Sequence, residues 1–246
     1  MPVTPQTRAV ARQAELEELA RETARCELCP QLVESRSQVV FGSGNAAAEL
    51  MFIGEAPGAS EDREGVPFVG ASGKLLDTLL DEIGMVREEV FIANVLKCRP
   101  PENRDPRPEE VGNCSSWLES QLELVSPALV VTLGNFATRL LRGDSAPIGK
   151  VRGRPEVVPV GRRSVRLYPV FHPAAALYRR PNLEVLREDF ARIPGLLELG
   201  APEQPAGGPR IAPGDSGAAA LASDGEGEAG EAGEAGAEGE DQLGLF

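Results

Sequence analysis

The sequence predicts an α/β fold of three layers, α/β/α, around a central four-stranded parallel sheet. Short apolar runs alternate along the chain with segments of helical periodicity, which is typical of parallel strands joined by helices. The apolar runs also lack polar alternation, because the strands of a parallel sheet are covered on both faces. Four runs meet this description: residues 49–54, 90–96, 128–133 and 165–171.

The helical segments lie before, between and after these strands, so right-handed crossovers can join neighbouring strands. The first segment, residues 6–25, carries alanine, leucine and charged residues at helical spacing. The others are residues 73–83, 108–124, 135–141 and 181–199. Residues 149–161 are rich in Arg, Pro and Gly, which predicts a loop or a hairpin before the last strand.

Composition divides the chain into a uniformly mixed region, residues 1–200, and a tail, residues 201–246. Ten acidic residues and one arginine give the tail a net charge of −9, against −13 for the whole chain. A segment made mostly of Gly, Ala, Pro, Asp and Glu buries too little apolar surface to offset its conformational entropy. We therefore expect a disordered tail after a folded region that is nearly neutral.

Charge and hydropathy narrow the classes of function. Arginines are dense in residues 99–107 and 139–180, which either form one basic face or lie in solvated loops. No apolar run approaches the ~20 residues of a membrane span, and the N-terminus lacks a signal-peptide core. We expect a cytoplasmic monomer with no membrane partner, in which structural disulfides are disfavoured.

Four cysteines, a C-x2-C pair and then a C-x15-C pair, predict a metal or cluster site in that compartment. A zinc ribbon usually takes its ligands from two tight C-x2-C knuckles, whereas the second pair here is widely spaced. An iron–sulfur cluster accepts thiolates from such scattered positions. The spacing alone therefore leaves zinc and an iron–sulfur cluster open as ligands of Cys26, Cys29, Cys98 and Cys114.

Polar groups stand at the carboxyl ends of three predicted strands. The run Gly54-Glu55-Ala56-Pro57-Gly58 follows the first strand, and Asn94 lies within the end of the second. The only histidine of the chain, His172, follows the last. Because ligands of open α/β sheets bind outside the carboxyl ends of the strands, these groups predict a single functional crevice.

Six segments in order, covering about residues 20–198, form a specific pattern together with the four cysteines. They are Cys26-Glu27-Leu28-Cys29-Pro30, Gly54-Glu55-Ala56-Pro57-Gly58-Ala59-Ser60-Glu61-Asp62, Gly65-Val66-Pro67-Phe68-Val69-Gly70, Asn94-Val95-Leu96-Lys97-Cys98-Arg99-Pro100-Pro101, Leu133-Gly134-Asn135 and His172-Pro173-Ala174-Ala175. This pattern resembles the family 4 uracil-DNA glycosylases, which are iron–sulfur members of the uracil-DNA glycosylase superfamily. The resemblance implies a four-stranded parallel sheet between helices, and a [4Fe–4S] cluster on the cysteines. It further implies excision of uracil from single- and double-stranded DNA, leaving an abasic site for base excision repair.

The resemblance and the chemistry of uracil together suggest roles for the crevice residues. Phe68 is expected to stack on the flipped base, with core packing as the alternative. Asn94 offers a donor and an acceptor that match uracil O4 and N3–H and mismatch cytosine, with a satisfied core residue as the alternative. His172 is expected to donate to O2 as negative charge builds there, with a backbone-bonded histidine as the alternative. Glu55 is expected to be catalytic, by orienting water, by binding uracil or by offsetting positive charge on the sugar.

The chain also departs from related proteins. Ala56 stands where the best-known related family carries a water-positioning aspartate, so water must be held differently here. Gly58 stands where that family carries a ring that excludes the 5-methyl group of thymine. Glu61 is the candidate for a substitute wall, and Gly54 and Gly58 are expected to line the uracil pocket.

Two further segments are expected to bind partners. In the superfamily, the loop after His172 enters the minor groove, so Leu177 or Tyr178 is the wedge candidate, with Arg179 and Arg180 on phosphates. The final residues resemble the bacterial sliding-clamp-binding pentapeptide, with an accidental terminus as the alternative. The residues expected to contact the clamp are Gln242, Leu243, Leu245 and Phe246, while Gly244 departs from the usual Ser or Asp.

Two non-catalytic functions are the alternatives to a glycosylase. An iron–sulfur electron carrier explains the cysteines but leaves Glu55, Phe68, Asn94 and His172 without a role. A zinc-stabilised DNA-binding module predicts a colourless protein that releases no base.

Overall fold

The structure is a computed structural model that describes residues 5–205, with side chains from residue 9 onward. Its strands are β1 Ser43–Gly44, β2 Leu50–Gly54, β3 Phe91–Asn94, β4 Leu129–Leu133, β5 Glu156–Val160 and β6 Arg163–Val170. Its helices are α1 Pro5–Thr23, α2 Pro30–Ser35, α3 Ala59–Glu64, α4 Ala71–Glu82, α5 Pro108–Val125, α6 Asn135–Arg142, α7 Ile148–Val151, α8 Pro173–Tyr178, α9 Arg180–Phe190 and α10 Ile193–Leu197. The α/β class predicted from the sequence is confirmed.

The six strands form one sheet in the order β1-β3-β2-β4-β6-β5. The four central strands are parallel, and they correspond to the four predicted runs. The expected four-stranded sheet is nevertheless too small, because β1 and β5 pair antiparallel at its two edges. β1 has only two residues, too few for a periodic signal, and β5 forms the hairpin alternative predicted for residues 149–161.

The sheet is covered on both faces, and its central strands alternate between them. Leu50 and Phe52 of β2 join the cluster that contains Leu79 of α4 and Phe190 of α9. Met51 and Ile53 point the other way, into the cluster formed with α1, α5 and α6. Burial of each such side chain contributes about 1.5–3 kcal/mol, so the apolar runs also fix the three-layer architecture.

Several helices differ from the sequence prediction. The single helix expected over residues 181–199 is two helices, α9 and α10, and Pro194 lies in the first turn of the second. A proline in a helix interior removes a hydrogen bond and clashes with the preceding turn, whereas it fits the first turn. The short helices α2, α3, α7 and α8 have too few residues to show a helical period.

Within residues 5–205, no helix is long and apolar enough to cross a membrane. Residues 201–205 contain no helix or strand. The rest of the predicted tail, including the pentapeptide at residues 242–246, lies outside the described residues.

Candidate functional site

The carboxyl ends of the parallel strands bring the predicted crevice residues together. Gly54 ends β2 and pairs in register with Asn94, which ends β3. On the other side of β2, β4 ends at Leu133 in register with Val170 of β6. Gly134 follows β4 and lies so close to His172 that a Cβ on this glycine would be 3.1 Å from the histidine Cβ.

Asn94 is 2 % exposed, and its Oδ1 atom is buried without a hydrogen-bond partner in the described part of the chain. A buried acceptor without a partner costs about 1–3 kcal/mol, and a ligand or an ordered water at this position would remove that cost. Gly54 makes room for this side chain, because a Cβ there would contact Asn94 Oδ1 and the Phe68 ring. Asn94 Oδ1 is thus unsatisfied by the described residues, and the expected contact of this side chain with uracil stays a prediction.

Phe68 faces the same crevice from the loop between α3 and α4. Its ring lies 5.5 Å from the His172 ring, centroid to centroid, at an interplanar angle of 29°. It also packs into the core, which was the alternative considered for it, while its stacking on a flipped base stays a prediction. Its backbone is left-handed, with φ of 53°, which is an unusual conformation for a bulky residue and needs support from its neighbours.

Three residues hold the Phe68 loop, and two of them were missed by the sequence analysis. The Arg87 guanidinium donates to the carbonyls of Pro67 and Phe68 and pairs with Asp77 at 3.0 Å. Gly73 allows α4 to approach, because a Cβ there would overlap the Phe68 carbonyl. The only sequence signal for Arg87 is an arginine just before a buried strand, which is too common a feature to indicate a role.

Glu61 is the third support of this loop. Its Oε1 accepts hydrogen bonds from the backbone N–H groups of Val69 and Gly70, at 3.0 and 2.9 Å. Its Oε2 occupies the space beside Gly58, where an added Cβ would lie 2.8 Å away. The carboxylate thus fixes the entrance of the crevice, while its expected role as a wall against thymine stays a prediction.

The hydrogen bonds of His172 determine which ring nitrogen carries the proton. Nδ1 accepts from the Ala174 N–H at 3.1 Å, where His172 caps the N-terminus of α8. In a neutral ring the proton is then on Nε2, which leaves Nε2–H as a donor. Burial lowers the pKa of His172 to about 4, and the nearby Glu61 carboxylate offsets this only partly. The imidazole is therefore neutral at physiological pH.

Glu55 follows Gly54 directly, and its backbone carbonyl accepts from the Leu96 N–H at 3.0 Å. Burial is the main reason that the pKa of its side chain is raised to about 7, and the negative charge of Asp105 acts in the same direction. Asp105 lies in the loop after Asn94 and was not singled out in the sequence. The side chain of Glu55 therefore changes its charge near neutral pH.

The four cysteines line one cavity, which brings together two pairs that are far apart in the sequence. They form no disulfide among the described residues, and burial raises the pKa of the Cys29, Cys98 and Cys114 thiols, the last to about 12. Within residues 5–205, no three His, Cys, Asp or Glu side chains are arranged to hold a single metal ion.

Hydrogen-bond donors surround the cysteine sulfurs. Arg36 Nη1 lies 3.0 Å from Cys98 Sγ, and the Lys97 backbone N–H lies 3.3 Å from Cys114 Sγ. Trp117 lines the same cavity, and its buried indole N–H has no acceptor in the described part of the chain. Donors aimed at sulfur favour thiolate over thiol, which suits a site whose ligands must lose their protons.

The cysteine cavity adjoins the crevice. Ala56, from the run after β2, packs against the cluster of Leu96, Cys98 and Cys114. Lys97 is fully buried between the two sites, and its ammonium donates to the Asn94 carbonyl at 2.8 Å and to Gln121. Burial lowers its pKa to about 8. The backbone that carries Asn94 is therefore held by Lys97, which precedes Cys98 and is itself bonded to Gln121 on α5, the helix that carries Cys114.

The predicted DNA-contacting residues lie at the surface, next to the crevice. Leu177 and Tyr178 end α8, the helix that His172 caps, and their exposed fractions are 48 % and 82 %. Arg179 and Arg180 follow and are also exposed. Their place directly after His172 fits the position of the wedge predicted from the sequence, and that role stays a prediction.

Comparison with known proteins identifies the family of this chain. The profile of the Uracil DNA glycosylase superfamily matches residues 41–192, which include every crevice residue described above. The chain belongs to the uracil-DNA glycosylase superfamily. Its relatives include proteins named type-4 uracil-DNA glycosylase. The protein of Sulfurisphaera tokodaii is 46% identical, with 72% of this chain and 83% of the relative covered.

The second relative, from Saccharolobus solfataricus, is also 46% identical, over 72% of this chain and 84% of its own length. The third, from Archaeoglobus fulgidus, is 44% identical over 72% of this chain and 91% of its own length. These identities place the chain in the type-4 branch of the superfamily, which confirms the resemblance carried by the six segments.

Proposed function

We propose that this protein hydrolyses the N-glycosidic bond of deoxyuridine in DNA, releasing uracil and leaving an abasic site. The observation that carries the proposal is the buried, unpartnered Oδ1 of Asn94, which faces the same crevice as Phe68 and the His172 ring. A flipped uracil supplies the missing donor through its N3–H, and the Asn94 amide then donates to O4. Cytosine offers the opposite pattern at these two atoms.

The crevice residues also suit the transition state. As the C1′–N1 bond breaks, its electron pair moves to the base, negative charge collects on uracil O2 and the sugar becomes oxocarbenium-like. The Nε2–H of neutral His172 donates to that oxygen, and such a preorganised donor contributes about 3–4 kcal/mol. A water molecule then adds to C1′ and loses its proton, and the released uracil anion takes up a proton from solvent.

Glu55 is the candidate for holding that water, because Ala56 supplies no carboxylate. An ionised Glu55 can accept a hydrogen bond from the water and offset the positive charge on the sugar. We assign both roles to the ionised carboxylate, because a neutral carboxyl group carries no negative charge and is a weaker hydrogen-bond acceptor.

A direct test compares oligonucleotides that carry uracil, cytosine or thymine at one position, in single strands and in U·G and U·A pairs. After incubation, alkali cleaves abasic strands, and without alkali the strands should stay intact. Scission confined to the uracil substrates supports the proposal. Intact uracil DNA after prolonged incubation with metal-loaded protein would overturn it, in favour of a non-catalytic DNA-binding or electron-transfer protein.

The charge of Glu55 predicts a pH dependence. Its folded pKa of about 7 lies above its ordinary value, so the carboxylate form grows as pH rises through 7. The single-turnover rate is expected to rise over the same range, between about pH 6 and pH 8. His172 adds no inflection there, because its pKa of about 4 keeps it neutral.

Two variants check this assignment. Glu55→Gln should flatten the profile, and Asp105→Asn should move the inflection to lower pH, because it removes the negative neighbour of Glu55. An unchanged inflection in the Glu55→Gln protein would assign the titration to another group.

We further propose that Cys26, Cys29, Cys98 and Cys114 hold one [4Fe–4S] cluster. Support comes from their shared cavity, from the N–H donors around the sulfurs and from the unpartnered indole N–H of Trp117. Together these residues fit a group that presents several sulfur acceptors. When bound, the cluster would tie the segment after α1 to the loop after Asn94, and no step of the reaction runs through it.

The only tryptophan of the chain should report on this site. In brown, anaerobically purified protein we expect the fluorescence of Trp117 to be quenched by the adjacent cluster, and to recover when iron is removed. Trp117→Phe should retain iron but lower the reduction potential of the cluster, because one hydrogen bond to sulfur is lost. Stoichiometric zinc without iron, or fluorescence that does not respond to iron removal, would contradict the assignment.

We propose that the exposed end of α8 contacts DNA. Leu177 or Tyr178 fills the space that the flipped base leaves, and Arg179 and Arg180 contact phosphates. Their exposure and their position directly after His172 support this role. The substrate is uracil-containing DNA, single- or double-stranded, and we propose that the protein acts on it as a monomer in the cytoplasm.

We propose that residues 1–200 form the glycosylase domain and residues 201–246 a disordered acidic tail that ends in a sliding-clamp-binding peptide. The sequence of the pentapeptide supports its binding to the clamp. Leu245 and Phe246 suit an apolar pocket of the clamp, and Gln242 suits the rim of that pocket. A long acidic linker would raise the local concentration of enzyme near the clamp without itself binding DNA.

The clamp proposal has a simple peptide test. A labelled peptide of residues 241–246 is expected to bind the sliding clamp of the host, and the same peptide with Leu245→Ala and Phe246→Ala is expected not to bind. Equal binding by both peptides, or binding by neither, would reject the tether.

A further inference from the structure

The arginine-rich stretch at residues 139–180 is not one continuous basic face. Its last two arginines, Arg179 and Arg180, directly follow the wedge candidates Leu177 and Tyr178. Arg162 lies at the turn between β5 and β6. Three other cations of this stretch gather with Arg192, which lies between α9 and α10, around an open cleft. The cationic cleft is formed by Lys150, Arg152, Arg154 and Arg192.

Two of these cations are fixed in place by the fold. Arg152 donates to both oxygens of the buried Asp189 carboxylate at 2.9 Å, and its guanidinium lies 5.3 Å above the Phe171 ring. Arg192 donates to the Gly153 carbonyl and lies 5.6 Å above the Tyr168 ring. Such stacked and paired arginines form the rigid wall of the cleft.

The other two cations are available. Lys150 and Arg154 are exposed, and within residues 9–205 neither side chain makes a hydrogen bond or ion pair. The acids at the cleft are Asp189, which Arg152 already neutralises, and the exposed Glu188. The cleft therefore keeps a net positive charge in a fold whose described part is slightly acidic.

The cleft is tied to the crevice by short connections. The Gly153 N–H donates to the Pro169 carbonyl at 2.8 Å, and Pro169 precedes His172 by three residues. The Ile148 N–H donates to Asn135 Oδ1 at 2.9 Å, and Asn135 follows the glycine that contacts His172. Three residues of extended chain span about 10 Å, which equals about three nucleotide steps measured along the axis of a DNA duplex.

We propose that the cationic cleft binds a phosphate of the DNA backbone about three nucleotides from the flipped uracil. Lys150 and Arg154 make the contact, and Arg152 and Arg192 shape the wall behind them. This inference rests on the proposed DNA substrate. It predicts that the enzyme recognises a longer stretch of DNA than the uracil pocket and the wedge alone require.

The test compares a double variant, Lys150→Glu with Arg154→Glu, with a control of equal charge change, Arg139→Glu with Arg162→Glu. Arg139 and Arg162 are exposed, and their side chains make no hydrogen bond in the described part of the chain. For an oligonucleotide of about fifteen nucleotides, the cleft variant should bind at least about 10-fold more weakly, with a salt slope smaller by about 1–2. Its single-turnover rate at saturating DNA should equal that of the wild type.

A uracil trinucleotide provides the second arm, because it lacks the distant phosphate. Its kcat/KM should be the same in the cleft variant and the wild type. Equal weakening by the control variant, or an equal loss with the trinucleotide, would overturn the proposal. If the wild type releases no uracil, the glycosylase proposal fails, while the binding comparison on the longer DNA still decides for or against the cleft.

Discussion

The His172→Ala protein is expected to release uracil about 10²–10³-fold more slowly than the wild type in single-turnover experiments. The substitution removes the Nε2–H donor, which the neutral ring directs at the developing charge on uracil O2. Since this hydrogen bond strengthens as the charge develops, kcat should fall far more than the affinity for uracil DNA.

A second substitution of His172 separates its catalytic role from its role as the N-cap of α8. His172 Nδ1 caps α8, so alanine is also expected to cost about 0.5–2 kcal/mol of stability. Asparagine is a good N-cap residue but does not extend as far into the crevice, so His172→Asn should regain stability without regaining the rate. Thermal unfolding and single-turnover kinetics, measured on both variants, provide the comparison. A near-normal rate in either variant would refute the assigned role.

Asn94→Ala is the second substitution with a large expected effect. It should also lower the rate by about 10²–10³-fold, because both hydrogen bonds to the uracil edge are lost. Asn94→Ala is also expected to raise the free energy of unfolding, whereas the usual truncation of a buried side chain lowers it. Asn94 Oδ1 is buried without a partner in the described part of the chain, and removing it recovers part of the roughly 1–3 kcal/mol that such an atom costs.

The Asn94→Asp protein is the matched control, because it has nearly the same shape. An ionised carboxylate has no proton to donate to O4, so uracil release should be slow at neutral and higher pH. The protonated acid offers cytosine N3 a donor and cytosine N4 an acceptor, so slow cytosine release should emerge as pH falls. Loss of stability in Asn94→Ala, or unchanged uracil release in both variants, would contradict this interpretation of the site.

The two sites of the protein share one segment of backbone. Lys97 donates to the Asn94 carbonyl, precedes Cys98 and places its own N–H beside Cys114. We therefore expect a disturbance of the cysteine cavity to shift Asn94 through these few residues. If the cysteines hold the proposed cluster, this segment is the connection through which it would support the crevice.

Much of the fold could be predicted, because its strongest signals are local. The four central strands are continuous apolar runs, which is typical of strands that a parallel sheet buries on both faces. The edges were not predictable: β1 is too short for a pattern, and β5 is half-exposed with a proline in it. The last helical segment is divided into α9 and α10, with Pro194 in the first turn of α10. The hydrophobic pattern of the sequence does not show where that first turn lies.

The sequence by itself determined the family, the three-layer sheet and the residue types at the crevice, because these depend on apolar runs and on short contiguous motifs. Only the tertiary structure decided that Asn94 Oδ1 has no partner among the described residues, that Nδ1 of His172 is occupied and that Arg87 supports Phe68. It also brought Trp117 to the cysteines and Lys150 to Arg192. The hydrogen-bond partners, burial and pKa of a side chain depend on residues that are far apart in the sequence. Those residues come close to one another only when the chain has folded.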